Sequence, residues 1–153
     1  MFSKQFTLTF ESSIKATDDV LFEFHSDTHN LSKITPPWIR VSIVDLTLPL
    51  KENSVVTLDI KQFGLTTRWV MQIDKLERPH RVCDKAIKSP FKYFYHEHAF
   101  HKIDENHTFL KDTINFELPL YPLSLIALPL IKKDMKRMFA YRHEQTKKLL
   151  EIN

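Results

Sequence analysis

Five ionisable side chains, Asp84, His96, His98, Asp112 and Arg142, fall where the surrounding pattern calls for apolar ones. The stretch Pro90 to Phe100 holds Phe91, Tyr93, Phe94, Tyr95 and Phe100 together with His96 and His98. Alternate side chains of a strand point the same way, so Phe94, His96, His98 and Phe100 share one face, and Tyr93, Tyr95, Glu97 and His101 share the other. By the same parity Asp84 lies with Val82 and Ala86, and Asp112 lies with Leu110, Ile114, Phe116 and Leu118. Arg142 falls on the apolar stripe of a C-terminal helix formed by Ile131, Met135, Met138, Phe139, Thr146 and Leu149. Burying an unpaired charge is costly, so five such groups aimed at one interior must pair or serve a ligand.

Three kinds of chemistry suit these residue types. The first is structural: Asp–His or Asp–Arg pairs inside a wet core, as in an interaction protein with no small ligand. The second is a binding site in which Trp69, Phe94, Phe100 and Met135 hold an apolar or aromatic body. Asp84, His96, His98, Asp112 or Arg142 would then orient a polar end. The third is catalysis, with His96, His98 or Asp112 as candidates: a histidine as acid/base, an adjacent aspartate fixing its tautomer and Arg142 stabilising a developing enolate, as in an aldol-type cyclisation or dehydration. A metal is a rival use of His-x-His, with Asp112 as a third donor. Cupins use such a pair, but they are glycine-rich barrels, and this chain has one glycine, Gly64. No metal and no cofactor is expected. A single glycine also argues against phosphate-cradling loops. His25, His29, His80, His101, His107 and His143 fall near turns or on polar faces and are expected to be exposed. Cys83, the one cysteine, has no activating base on its face and reads as an inert thiol.

The elements that must position these groups follow from periodicity. A strand runs over residues 2–12, with Phe2, Phe6, Leu8 and Phe10 on one face. Thr17-Asp18-Asp19 caps a short helix. A further turn over Leu31–Ile34 is stopped by Thr35-Pro36-Pro37. Strands follow over 38–48, 54–63, 66–76, 81–88, the central stretch and 108–118, joined by short turns. Pro129 fits the first turn of the closing helix. Short connections make the sheet antiparallel. Its one-sided alternation leaves an apolar face that only the last helix is long enough to cover. Leu120 to Leu130 is apolar and broken by prolines, and reads equally as a lid or as a segment packed on the sheet.

Bulk composition limits the partners. The 153 residues suffice for one domain, spanning 1–153, with 42% hydrophobic and 27% charged content and a net charge of +3. The basic run Lys132, Lys133, Lys136, Arg137 reads as a solvated helix face, so nucleic acid is not expected. The longest charge-free stretch, Leu118 to Ile131, is too short and too broken by proline for a membrane span. The N-terminal alternation lacks the apolar run of a signal peptide, so a cytoplasmic location is expected.

In element order and in four stretches the chain resembles the helix-grip superfamily SRPBCC, which includes START domains, birch-pollen-allergen proteins and bacterial polyketide cyclase/dehydrase-like proteins. The stretches are Ile34-Thr35-Pro36-Pro37, Pro90-Phe91 with His96-Glu97-His98-Ala99-Phe100, Asp112 with Leu118-Pro119, and Phe139-Ala140-Tyr141-Arg142. The similarity is greatest to small bacterial cyclase/dehydrase-like members. Ser89 and Phe94 stand where relatives often have glycine and tryptophan. The resemblance implies an α+β helix-grip fold. Its curved antiparallel sheet of about six to seven strands would wrap round a long C-terminal helix, with two short helices after the first strand. It also implies an internal cavity for a small hydrophobic or aromatic molecule. Only some members are enzymes.

Overall fold

The computed structural model describes residues 3–151. Seven strands form one antiparallel sheet: β1 (Gln5–Ile14), β2 (Arg40–Asp45), β3 (Val55–Gln62), β4 (Leu65–Glu77), β5 (Arg81–Lys88), β6 (Tyr93–Asp104) and β7 (His107–Glu117). Their order across the sheet is β1-β7-β6-β5-β4-β3-β2. Five consecutive hairpins build the sheet from β2 to β7, and the first strand closes it by pairing with the last. A helix α1 (Asp18–His25) and a 3-10 helix (Thr28–Ile34) follow β1, and the long helix α2 (Leu128–Leu150) ends the chain. This is the helix-grip arrangement expected from the sequence.

Local chemistry sets the boundaries. Thr17 caps α1 by accepting a hydrogen bond from the Val20 amide, and Asp18 and Asp19 fill the first turn. The Asp27 carboxylate accepts from the His29 amide and starts the 3-10 helix. Pro129 sits in the first turn of α2, where its missing N–H costs nothing. Phe63 and Gly64, both at positive φ (55° and 74°), form the two-residue turn between β3 and β4. Backbone twist of that hand matches the twist of the flanking strands. Register shifts at Val70/Met71 and Ile73/Lys75 bulge β4 against β5 and bend the sheet.

The apolar parity of the strands is reproduced. Thr108, Leu110, Asp112, Ile114, Phe116 and Leu118 are all buried, and the β7 residues between them are half-exposed. Two clusters form the core. One joins Ile14, Leu21, Phe22, Val82, Phe100 and Leu110 beneath α1. The other joins Phe6, Ile114, Phe116, Leu118, Met135 and Phe139 beneath α2. Phe139 locks the helix to the sheet by stacking on Phe10 at 4.6 Å and 8°.

Two expectations are revised. Leu149 is 49% exposed, and Leu150, four residues after Thr146, makes the core contact instead. The segment after β7 meets the body of the protein at few points rather than along its length. Of Leu120 to Leu130, Leu120, Leu123 and Ile126 are exposed, Leu130 alone lines the cavity, and Tyr121 and Leu128 pack against the core. Of the residues assigned to the first strand's apolar face, Phe2 lies outside the described residues. Among the described residues no helix is long and apolar enough to cross a membrane.

Candidate functional site

Register brings the ionisable groups together. On the sheet's concave face Asp84 of β5 is directly opposite His96 of β6, and His98 of β6 is directly opposite Asp112 of β7. Cross-strand neighbours of this kind have Cβ atoms about 5 Å apart, within reach of each other's side chains. Helix α2 lays Arg142 and His143 over them, and α1 ends at them with His25.

Asp112 is the hub. Its Oδ1 accepts from His96 Nε2 at 2.8 Å, and its Oδ2 accepts from His143 Nε2 at 2.6 Å. His98 Nδ1 lies 2.7 Å from Oδ1 but off the line of a hydrogen bond, so that buried nitrogen has no hydrogen-bonded partner. With its Nε2 proton on Asp112, His143 turns Nδ1 to the Ser12 hydroxyl, which donates to it at 2.6 Å. One carboxylate thus faces three imidazoles from two different elements and is hydrogen-bonded to two of them. Burial alone would raise the Asp112 pKa, but His98, His143 and His96 outweigh it and hold this carboxyl well below the usual range.

The groups in front of Asp112 show the opposite effect. Burial raises Asp84 to about 6, against the pull of His98 and Arg142. Burial also lowers His96 and His98, partly offset by Asp112, and so favours uncharged rings. His25 is lowered to about 3, first by burial and then by the nearby His98. Its Nδ1 donates to the Leu21 carbonyl at 2.8 Å, and its ring centre is 5.2 Å from that of His98. Arg142 is lowered by burial, opposed by Asp112 and Asp84. Its guanidinium lies over the Phe139 ring at 5.0 Å, and its Nε has no partner.

These groups floor a cavity of about 350 Å³ between sheet and helix. Trp69, Asp84, Phe94, His96, His98, Met135 and Arg142, all assigned to the site from the sequence, line it. Phe91, Val56, Leu58, Ile60, Met71 and Met138 complete much of the apolar wall. Trp69 meets Phe94 edge-on at 5.0 Å, and Phe91 lies against both rings. Two assigned residues do not reach the cavity. Phe100 is 1% exposed and packs among Phe22, Val82 and Leu110 under α1. Asp112 is sealed behind the imidazoles it holds.

His143 and His25 are the corrections of most consequence, since neither is exposed as expected. His143 is buried against Asp112, and His25 is half-buried and lines the cavity. Both were legible from helical spacing. His143 is four residues after Phe139 and three before Thr146, and His25 is four after Leu21. Placing Arg142 on the stripe concealed that its neighbour shares it. His29, His80 and His101 are exposed as expected. Cys83 is buried with its thiol pushed up to about 11, first by burial, as an inert thiol should be.

Residues 14–142 match the family model described as "Polyketide cyclase / dehydrase and lipid transport". The chain belongs to this family. No curated protein matches it in sequence. Solved structures share its fold at low identity. TTHA0849 from Thermus thermophilus superposes with a TM-score of 0.74 at 14% identity, covering 93% of this chain and 94% of that one. Norcoclaurine synthase from Thalictrum flavum, solved with dopamine and hydroxybenzaldehyde, gives 0.72 at 11%, covering 96% and 87%. The Zhui aromatase/cyclase of a Streptomyces species gives 0.68 at 15%, covering 95% and 96%. The START/Bet v 1 superfamily assignment made from the sequence therefore stands.

Proposed function

We propose that this family member binds a small, largely apolar or aromatic molecule carrying an oxygen-rich polar end, such as a carbonyl or carboxylate. The observation that supports this reading most is the pairing of an apolar cavity of about 350 Å³ with a buried guanidinium at its floor. Apolar walls with a few convergent polar groups are the usual form of a small-molecule site. Trp69, Phe91, Phe94 and Met135 would contact the apolar body. Arg142 would donate from its guanidinium to the ligand oxygen, and His98 would stand beside it. A planar aromatic carrying a carboxylate or enolisable ketone matches this division.

The test is thermal stabilisation by a panel of aromatic carboxylates and ketones, compared with isosteric aromatics lacking the oxygen. Oxygenated members should raise the melting temperature, and Arg142→Met should abolish their advantage. Equal shifts from both sets would overturn the polar half of the reading. No shift from any member, with no retained small molecule detectable by native mass spectrometry, would overturn it entirely.

A second reading, acid/base catalysis of cyclase or dehydratase type, is favoured by one observation. His98 lines the cavity, and its Nδ1 faces Asp112 across 2.7 Å, so its Nε2 is free toward a substrate. Turnover with a histidine-like limb in its pH–rate profile, lost in His98→Gln, would support it. Binding without turnover of enolisable ketones would contradict it.

A further inference from the structure

On the cavity floor one donor atom from each of Asp84, His96 and His98 lies within 4.8 Å of the other two. The strands fix this arrangement: Asp84 and His96 are a cross-strand pair, and His98 is the next residue on the same face. Which atoms face one another follows from Asp112. It takes the Nε2 proton of His96, and it faces Nδ1 of His98 at 2.7 Å, where only a protonated nitrogen is tolerable. That leaves the lone pairs of the two rings on His96 Nδ1 and on His98 Nε2. The second is 3.8 Å from Asp84 Oδ2. The side chains of Asp84, His96 and His98 thus converge on one part of the floor, with a lone pair of His98 turned toward the Asp84 carboxylate. A carboxylate behind metal-bound imidazoles is the usual means of fixing their tautomer and aim.

We propose that Asp84, His96 and His98 bind one divalent transition-metal ion on the cavity floor, with Asp112 orienting both imidazoles from behind. Two nitrogens and one carboxylate suit zinc, iron(II) or cobalt(II), and not calcium or magnesium, which take oxygen ligands. The three protein donors leave coordination positions that open into the cavity, beside Arg142. This arrangement differs from the His96–His98–Asp112 set suggested by spacing, because Asp112 is spent on ring protons. The inference holds whether or not an organic molecule occupies the space above, so its failure would leave the ligand reading standing.

The test is Co²⁺ titration of chelator-treated, full-length protein without added ligand, followed by the visible bands of nitrogen- and oxygen-bound cobalt. Wild type should take up one equivalent, with a matching rise in melting temperature. Asp84→Asn and His98→Gln should each weaken uptake at least about 10-fold, and Asp112→Asn should weaken it about 10- to 100-fold. His101→Gln, on the exposed face of β6, should leave it unchanged. Folding of each variant is checked by circular dichroism. Absence of stoichiometric uptake by wild type would overturn the proposal without reference to any variant. Uptake unchanged in folded Asp84→Asn would place the ion elsewhere and overturn it equally.

Discussion

Asp112 holds three imidazoles with two oxygens, and its removal has a calculable direction. Asp112→Asn keeps the shape but withdraws the buried charge that His96, His98 and His143 face. The hydrogen bonds from His96 and His143 lose their charged acceptor, and a bond to a charged group typically contributes about 1.5–3 kcal/mol, so the urea midpoint should fall by a corresponding amount. A loss below about 1 kcal/mol would mean that the cluster contributes little to stability. The same cluster makes stability pH-dependent. His25 is lowered from 6.5 to about 3, and His96 and His98 are also lowered. The unfolded chain therefore binds more protons below pH 6.5, and stability must fall as pH drops from about 6.5 toward 3. Asp84, raised to about 6, acts oppositely between its ordinary value and pH 6. Three imidazoles outweigh one carboxyl, at about 1.4 kcal/mol per pH unit for each net proton. Urea unfolding between pH 4 and 7 should show stability rising with pH, with a shallower slope in His25→Phe. A flat profile would contradict the burial of these rings.

At the scale of elements, α2 is held by a small number of large contacts. Phe139 stacks on Phe10 and meets His96 edge-on at 5.3 Å. Truncation to alanine should cost about 3–5 kcal/mol, measured by urea denaturation, and should also disturb the His96 ring. By contrast Leu123→Ser, in the exposed segment before α2, should change stability by no more than about 0.5 kcal/mol. The elements were the most legible part of the chain. Alternation along β7 placed Asp112 inside without ambiguity, because a strand has only two faces and four apolar neighbours mark one of them. A helix stripe is broader, and adjacent residues such as Arg142 and His143 can both fall within it. That breadth is why the third imidazole on Asp112 was missed. The exposed course of Leu120 to Ile126 was equally hidden, since apolar composition predicts burial and nothing local reports that a proline-broken segment lies outside it.

For the whole molecule, the grip of sheet on helix leaves a space that no single element reveals. Parity shows which side chains point inward. It does not show whether they meet, and the cavity is the remainder after packing. Phe100 and Phe94 share a strand face, yet Phe94 lines the cavity and Phe100 fills the core under α1. The difference is set by α1 and Phe22, which arrive from another part of the chain. The polar floor was legible as a set of residues and illegible as a geometry, because strand register decided that Asp84, not Asp112, faces the open side.

The claim on which the rest depends is that this space admits a ligand. Trp69 lines the cavity, and the other tryptophan, Trp38, is 40% exposed beside Tyr141. In a Trp38→Phe protein Trp69 is the sole indole reporter. Titration with an anionic naphthalene fluorophore should quench Trp69 with saturable one-to-one stoichiometry. Binding, read from the fluorophore's own emission, should vanish when Ile60→Trp, made in a Trp38→Phe background, fills the cavity. Quenching that does not saturate, or binding that survives the filled cavity, would contradict an accessible internal site.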